Sequence, residues 1–144
     1  MRILIDGDGC PVIDIVENIA RQKKIKLIIF TDTAHQIKTD YGEVFLLDTG
    51  FQSVDMAINE KCRKNDIVVT QDYGLAALVL SKGARAISQD SLVFTDDNID
   101  HLLMTRHLHA KKRRAGKKHP NQSKRREEDD LKFRKTFLQL IDKI

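Results

Sequence analysis

The sequence predicts an α/β fold with a mostly parallel central sheet of about five strands. Short apolar runs of four or five residues alternate with segments in which apolar residues recur at helical spacing. Several runs are continuously apolar, which is typical of strands that helices cover on both faces. The length of 144 residues suits a single domain with a substantial core.

The first strand and helix are the clearest elements. Residues 2–6 form a buried strand, and Gly7 and Gly9 interrupt it. Pro11 suits the first turn of a helix, where its missing N–H costs no hydrogen bond. The apolar positions that follow at helical spacing are Val12, Ile15, Val16, Ile19 and Ala20.

The remaining elements alternate in the same way. Strands are predicted at 26–31 and 43–47, and Ser53 is the expected N-cap of a helix at 54–64. The later elements are a strand at 66–70, a helix at 73–82 that Asp72 caps and Gly83 ends, a strand at 84–87, a short extra strand at 92–94 and a helix from Asp96 to about Leu108.

Charge is divided unevenly along the chain. The net charge is +4, but residues 1–104 carry 11 Lys and Arg against 16 Asp and Glu, whereas residues 105–144 carry 14 against 5. Residues 111–126 contain almost no apolar side chain, which predicts a basic mobile segment. An α/β domain at 1–110 precedes it. A helix at 127–144 follows, with an apolar stripe that includes Leu131 and Phe137 and docks on the domain.

Acidic residues follow the predicted strands at the edge where parallel strands end. Asp6 and Asp8 follow the first strand, Asp72 follows the fourth, and Asp55 opens the helix after the third. Asp66 begins a strand roughly 20 Å from Asp72, and we expect it to be solvated. Each acid alone could be a turn residue or a helix cap, but together they predict one site at this edge.

Carboxylates that share one site repel each other, by about 4 kcal/mol for two charges about 4 Å apart at an effective dielectric of about 20. A divalent cation relieves this repulsion, and ligands that are all oxygen favour Mg²⁺ or Mn²⁺. We predict that Asp6, Asp8, Asp55 and Asp72 hold such an ion, and that Thr70 orients a carboxylate or a water. Two such ions can promote hydrolysis of a phosphodiester.

The basic residues near the end of the chain predict contacts with a phosphate backbone. The candidates are Arg106, Lys111, Lys112, Arg113 and Arg114. A solvated charge run is the alternative. Because no aromatic residues are interspersed, binding should be independent of base sequence and should weaken as salt increases.

Cysteine and histidine leave two further readings open. Cys10 precedes Pro11 at a helix start, where a thiolate is stabilised, but no partner base is evident, and a packed cysteine is the alternative. His107 and His109 could bind zinc, yet residues two apart on a helix face different ways, which favours a phosphate-binding surface.

The sequence predicts neither a membrane span nor a secretory leader. The longest apolar run has six residues, at 75–80, against about 20 for a span, and the first residues lack the features of a signal peptide. Cys10 and Cys62 form no disulfide framework, so we expect a reduced, cytoplasmic protein.

Two segments resemble the signatures of one bacterial family. Asp6-Gly-Asp8-Gly-Cys10-Pro11-Val12 resembles the opening signature of the YaiI/YqxD family, in which alanines usually stand at the positions of Gly7 and Gly9. Thr70-Gln-Asp72-Tyr-Gly-Leu-Ala-Ala is similar to its second signature, and the likeness covers most of residues 1–115.

The YaiI/YqxD family is grouped with PIN-like domains. The resemblance therefore implies a three-layer α/β/α fold similar to that of PIN and NYN ribonucleases, with an acidic Mg²⁺ or Mn²⁺ site for RNA hydrolysis. Asp6, Asp55 and Asp72 match the acidic positions of those enzymes, with Asp8 beside the first. A further acid often follows the last one, and Tyr73 and Gly74 stand there instead.

The leading hypothesis is a metal-dependent nuclease or phosphodiesterase that acts on RNA. One alternative is a non-catalytic nucleic-acid-binding or ribosome-associated protein, which would bind RNA without metal. Another is a small-molecule phosphatase in which Asp6 forms a covalent phosphoryl intermediate. The sequence leaves open the substrate, the number of metal ions and the oligomeric state.

Overall fold

The structure, a computed structural model, describes residues 1–32, 36–48, 50–114 and 124–143, with the backbone alone for residues 106 and 109–114. Within these ranges six strands form one sheet: β1 (Arg2–Asp6), β2 (Lys26–Asp32), β3 (Glu43–Leu47), β4 (Ile67–Val69), β5 (Arg85–Ile87) and β6 (Val93–Phe94). Their order is β3-β2-β1-β4-β5-β6, and only β6 is antiparallel to its neighbour.

Helices cover both faces of this sheet. They are α1 (Ile13–Lys23), α2 (Val54–Lys61), α3 (Tyr73–Ser81), α4 (Asp96–Arg114) and α5 (Glu127–Asp142). One core, under α1 and α5, contains Ile3, Ile5 and Phe137, whereas the other, under α2, α3 and α4, contains Leu4 and Phe30. Neighbouring β1 residues thus point into opposite cores, which confirms the three-layer α/β/α fold.

The C-terminal helix α5 packs on the same face of the sheet as α1. Phe133 and Phe137 are fully buried, and their stacked rings lie 5.5 Å apart between centroids. Arg85 of β5 fastens the end of this helix, because its guanidinium donates to the carbonyl oxygens of Leu140 and Lys143 at 2.8 and 3.0 Å. Leu131, which was assigned to the apolar stripe, is instead 64% exposed.

The prediction that Asp66 is solvated is wrong. Asp66 is 2% exposed, and its carboxylate forms an ion pair with Arg2 at 2.7 Å. It also accepts hydrogen bonds from the backbone N–H groups of Arg2 and Arg63. A buried carboxylate is stable only with such partners, and here they come from the start of β1 and from the turn that precedes β4.

Helix α4 is longer than predicted. The sequence indicated an end near Leu108, but the backbone continues as helix through Arg114. Residues 111–114 therefore lie on a helix, whereas the mobility predicted for residues 115–123 falls outside the described part of the chain. None of the described helices is long and apolar enough to cross a membrane.

Candidate acidic site

The site lies where β1 and β4 end side by side at the carboxyl edge of the sheet. Asp6 is the last residue of β1, and Thr70 follows β4 directly. The Thr70 hydroxyl donates to Oδ2 of Asp6 at 3.2 Å and accepts from the backbone N–H of Asp72 at 3.0 Å. Thr70, which is 2% exposed, thus joins the two acids predicted to share the site.

A second hydroxyl holds Asp8. Thr31, near the end of β2, is fully buried and donates from Oγ1 to Oδ1 of Asp8 at 2.6 Å. The preceding turn is anchored because Gly7 N–H donates to the Phe30 carbonyl oxygen at 2.8 Å. Asp6 and Asp8 are therefore each oriented by one threonine from a different neighbouring strand.

A side chain would be unfavourable at two glycines of this turn, for different reasons. A Cβ at Gly7 would lie 2.8 Å from a side-chain carbon of Ile29 and 2.9 Å from the Phe30 carbonyl oxygen, so the backbone would have to shift to admit a methyl group. Gly9 has open space but a φ of +68°, which side chains disfavour. Gly7 therefore allows the acidic turn to approach the sheet closely, and Gly9 allows its backbone conformation.

Asp72 also acts as a helix cap. Its Oδ1 accepts hydrogen bonds from the N–H groups of Gly74 and Leu75 at 2.9 and 3.2 Å, as expected at an N-cap. The capping role and a site role are compatible, because a carboxylate has four lone-pair positions on two oxygens. Ser53 occupies the N-cap of α2 without a side-chain capping bond.

Electrostatics link all four predicted acids. The pKa of Asp6 is raised from 3.8 to about 6, chiefly because burial disfavours the charged form, and the Thr70 hydrogen bond only partly opposes this. The negative charges of Asp8, Asp72 and Asp55 raise it further. The structure therefore brings Asp55 and Asp72 close enough for both charges to act on Asp6.

These carboxylates do not form a preformed cage for a metal. In the described ranges, no three or more His, Cys, Asp or Glu side chains are placed to hold one ion. Mg²⁺, however, usually keeps several waters and takes only one or two carboxylates together with substrate phosphates. The candidate ligands are carboxylates, which offer only oxygen atoms and repel each other, so they fit that mode of binding.

Two adjoining cavities give access to the acids. A small one of about 40 Å³ is lined by residues that include Asp6, Asp8 and Thr70. Gln89 lines both this cavity and a larger cleft of about 730 Å³ beside the start of α5. The small cavity has room for a water or a bare ion, since a water occupies about 30 Å³. A polymer would have to lie in the cleft.

A polar network connects the acidic site to α5. The Gln71 side chain accepts from the Gln89 N–H at 2.7 Å and donates to Asp90 at 3.2 Å. Arg125 donates to the Gln89 carbonyl oxygen at 3.0 Å and pairs with Asp130 at 2.6 Å. The loop between Thr70 and Asp72 is thus braced against the residue that leads into α5.

Other sequence candidates contribute differently. Cys10 lines the small cavity, but burial raises the pKa of its thiol, and the positive charge of Arg125 opposes this only in part. This direction is opposite to that of an activated thiolate. The side chains of the basic candidates lie outside the described part of the chain: Arg106, Lys111, Lys112, Arg113 and Arg114.

The sequence did not single out Thr31, Gln71 or Arg125. Thr31 had a usable signal, because it precedes Asp32 at a strand end much as Thr70 precedes Asp72. Gln71 and Arg125 had none, since their partners in the β5–β6 turn lie 18 and 19 residues away from Gln71 and 36 away from Arg125. Arg125 stands in a charge run that gives no reason to choose it.

Residues 4–143 match the family described as "Uncharacterized BCR, YaiI/YqxD family". A UPF0178 protein of Clostridium novyi is 49% identical over 143 residues, which cover 99% of this chain and 96% of the relative. A UPF0178 protein of Alkaliphilus oremlandii is 43% identical over 142 residues, covering 99% and 92%. No solved structure matches the chain.

Proposed function

Given that this chain belongs to the YaiI/YqxD family, we propose that it is a metal-dependent phosphodiesterase that acts on RNA. The observation that carries the proposal is the environment of Asp6. A buried carboxylate with three further carboxylates around it is costly to ionise without a cation. Such perturbed acids in a cleft are typical of functional sites. The proposal includes the relationship to PIN-like ribonucleases that the sequence resemblance implies.

Asp6 and Asp8 are the primary ligands for Mg²⁺ or Mn²⁺. Asp55 and Asp72 add negative charge around the ion. When bound, the ion supplies positive charge next to a phosphoryl group. Thr70 and Thr31 keep the two primary carboxylates in fixed orientations through their hydrogen bonds. The small cavity restricts the volume beside Asp6 to water, an ion and the scissile phosphate.

The test is cleavage of a short, 5′-labelled single-stranded RNA in Mn²⁺ by the wild type and two variants. Asp6→Asn should lower the rate at least about 100-fold, since even outer-shell partners of metal ligands contribute about 10–100-fold. Glu43→Gln is the matched control, because Glu43 is an exposed acid at the opposite, amino end of the sheet. It should retain the full rate.

Two results would contradict the proposal. One is cleavage by Asp6→Asn at the wild-type rate. The other is a wild-type protein that neither cleaves the RNA nor shows a Mn²⁺-dependent rise in melting temperature. A cluster of repelling acids should be stabilised by any cation that it binds. Both readouts are needed because the second does not depend on choosing the right RNA.

A second candidate is a non-catalytic RNA-binding protein. Two observations favour it: the described residues contain no group of three metal-binding side chains, and the Asp72 carboxylate is engaged as a helix cap. This function predicts RNA binding that persists in EDTA and is unchanged in Asp6→Asn. The same RNA used in the cleavage assay distinguishes the two functions.

A further inference from the structure

The sheet ends on one side at β3, which leaves an apolar edge open to solvent. Within the described ranges β3 pairs with β2 alone, so no strand lies beside its outer side. Val44, Phe45 and Leu46 at its centre are 39%, 36% and 59% exposed. Natural proteins usually protect an edge strand with lysine, proline, a bulge or a short length. β3 has five residues in unbroken register and contains neither lysine nor proline, whereas β6 at the opposite edge has only two residues.

Exposed apolar side chains continue from β3 onto the elements that follow it. Phe51, in the turn after β3, is 91% exposed, and Met56 of α2 is 57% exposed. The Lys61 ammonium of α2 lies over the Phe45 ring, 4.6 Å from its centroid, so α2 and this ring are on the same face of the sheet. Apolar surface concentrated on one side of a protein is typical of an interface with another protein.

The backbone of β3 is arranged to pair with a further strand. Phe30 of β2 directs its backbone groups to β1, because its carbonyl oxygen accepts from Gly7 N–H at 2.8 Å. Backbone groups alternate sides along a strand, so the residues on either side of Phe30 point to β3. In the observed parallel register they bond to Phe45. The N–H and C=O groups of Val44 and Leu46 therefore point outward from the sheet.

We infer that a second copy of this chain pairs with β3 in antiparallel orientation, about a two-fold axis at Phe45. Val44 of each copy then lies opposite Leu46 of the other, and each such pair exchanges two backbone hydrogen bonds. The two Phe45 residues meet at a non-hydrogen-bonded position, where side chains approach most closely. The outward backbone groups at the centre of β3 are thereby satisfied, and the two sheets become one. This inference goes beyond the proposed function and does not depend on it.

A second copy fits this edge because β3 is complementary to itself. About the axis, Val-Phe-Leu faces Leu-Phe-Val, so the central pairs are all apolar. Glu43 faces Leu47 of the second copy and not another acid. It shares a face with Phe45, so it comes diagonally beside the Phe45 ring of the other copy, over which the Lys61 ammonium lies. Unlike charges therefore meet across the interface, and symmetry makes each contact occur twice.

Sedimentation velocity of the full chain over a range of concentrations tests the interface. The wild type should form a dimer. Leu46→Lys should raise the dissociation constant of that dimer at least about 100-fold, because symmetry removes two apolar contacts at once. Leu131→Lys is the matched control, since Leu131 is 64% exposed on α5, and it should dimerise as the wild type does. Circular dichroism verifies that both variants are folded.

Cysteine cross-linking tests the register. Phe45→Cys places two thiols opposite each other on the axis, with Cβ atoms about 4.5–5.5 Å apart, so oxidation should join two copies by a disulfide. Val44→Cys places its thiols opposite Leu46 and should not cross-link. The wild type, which contains Cys10 and Cys62, gives the background. A wild type that is monomeric at every concentration, a Leu46→Lys variant that dimerises as the wild type does, or equal cross-linking of the two cysteine variants would overturn the inference.

Discussion

Replacing Asp6 by asparagine should stabilise the folded protein while removing its proposed function. Burial and the neighbouring charges raise the pKa of Asp6 from 3.8 to about 6. At about 1.4 kcal/mol per pKa unit, ionising this group costs the folded state about 3 kcal/mol above pH 6. Asparagine is nearly isosteric and keeps an oxygen that can accept the Thr70 hydrogen bond, but it carries no charge.

The sign of the pH dependence follows from proton binding. Between pH 3.8 and 6 the folded state holds the Asp6 proton and the unfolded state releases it, so wild-type stability falls as pH rises through this window. Below the window both states are protonated and the cost disappears. The advantage of Asp6→Asn should therefore be about 3 kcal/mol at pH 8 and close to zero near pH 4.

Urea denaturation at several pH values measures this difference directly. The two proteins differ only at this residue, so the difference between their free energies of unfolding reports the removal of the Asp6 charge. Asp66→Asn is the contrasting variant, because Asp66 is buried beside Arg2. Removing the buried carboxylate charge that pairs with the partly exposed Arg2 guanidinium should destabilise the protein by about 3 kcal/mol, the lower end of the range for a buried pair. A variant Asp6→Asn that is less stable than the wild type at pH 8, or whose advantage does not change with pH, would refute the reasoning.

Two further predictions concern packing, and thermal or urea unfolding tests both. Gly7→Ala should cost about 1–3 kcal/mol, because a methyl group would press on the Phe30 carbonyl oxygen. Gly9→Ala should cost about 1–2 kcal/mol for its positive φ. A loss below about 0.5 kcal/mol in either variant would contradict this. Phe137→Ala should cost about 3–5 kcal/mol, and Leu131→Ala should change stability by less than about 0.5 kcal/mol; a similar effect of both would mean that α5 does not dock.

The strands were predictable because their hydrophobicity is continuous and their boundaries carry glycine or an acid. The edge at which Asp6 and Asp72 meet followed from strand direction alone. The end of α4 was missed for a physical reason. Residues 109–114 have no apolar period, yet alanine, lysine and arginine are good helix formers, so the helix continues through Arg114.

Asp66 shows what a single sequence cannot provide. A carboxylate at a strand start looks the same whether it is solvated or buried, and Arg2, the partner that decides the matter, lies 64 residues away. The hydrogen bond from the Thr31 hydroxyl to the Asp8 carboxylate depends in the same way on the pairing of β1 with β2. Long-range register, rather than local composition, determines these contacts.

The attachment of α5 at both ends changes how the basic stretch should be understood. Arg125 is tied to the β5–β6 turn at the start of this helix, and Arg85 grips its end. The described cationic residues that lead into α5, Lys124, Arg125 and Arg126, are therefore held in place along the cleft beside Gln89. Their positive charge has a fixed position next to the small acidic cavity, which Gln89 also lines.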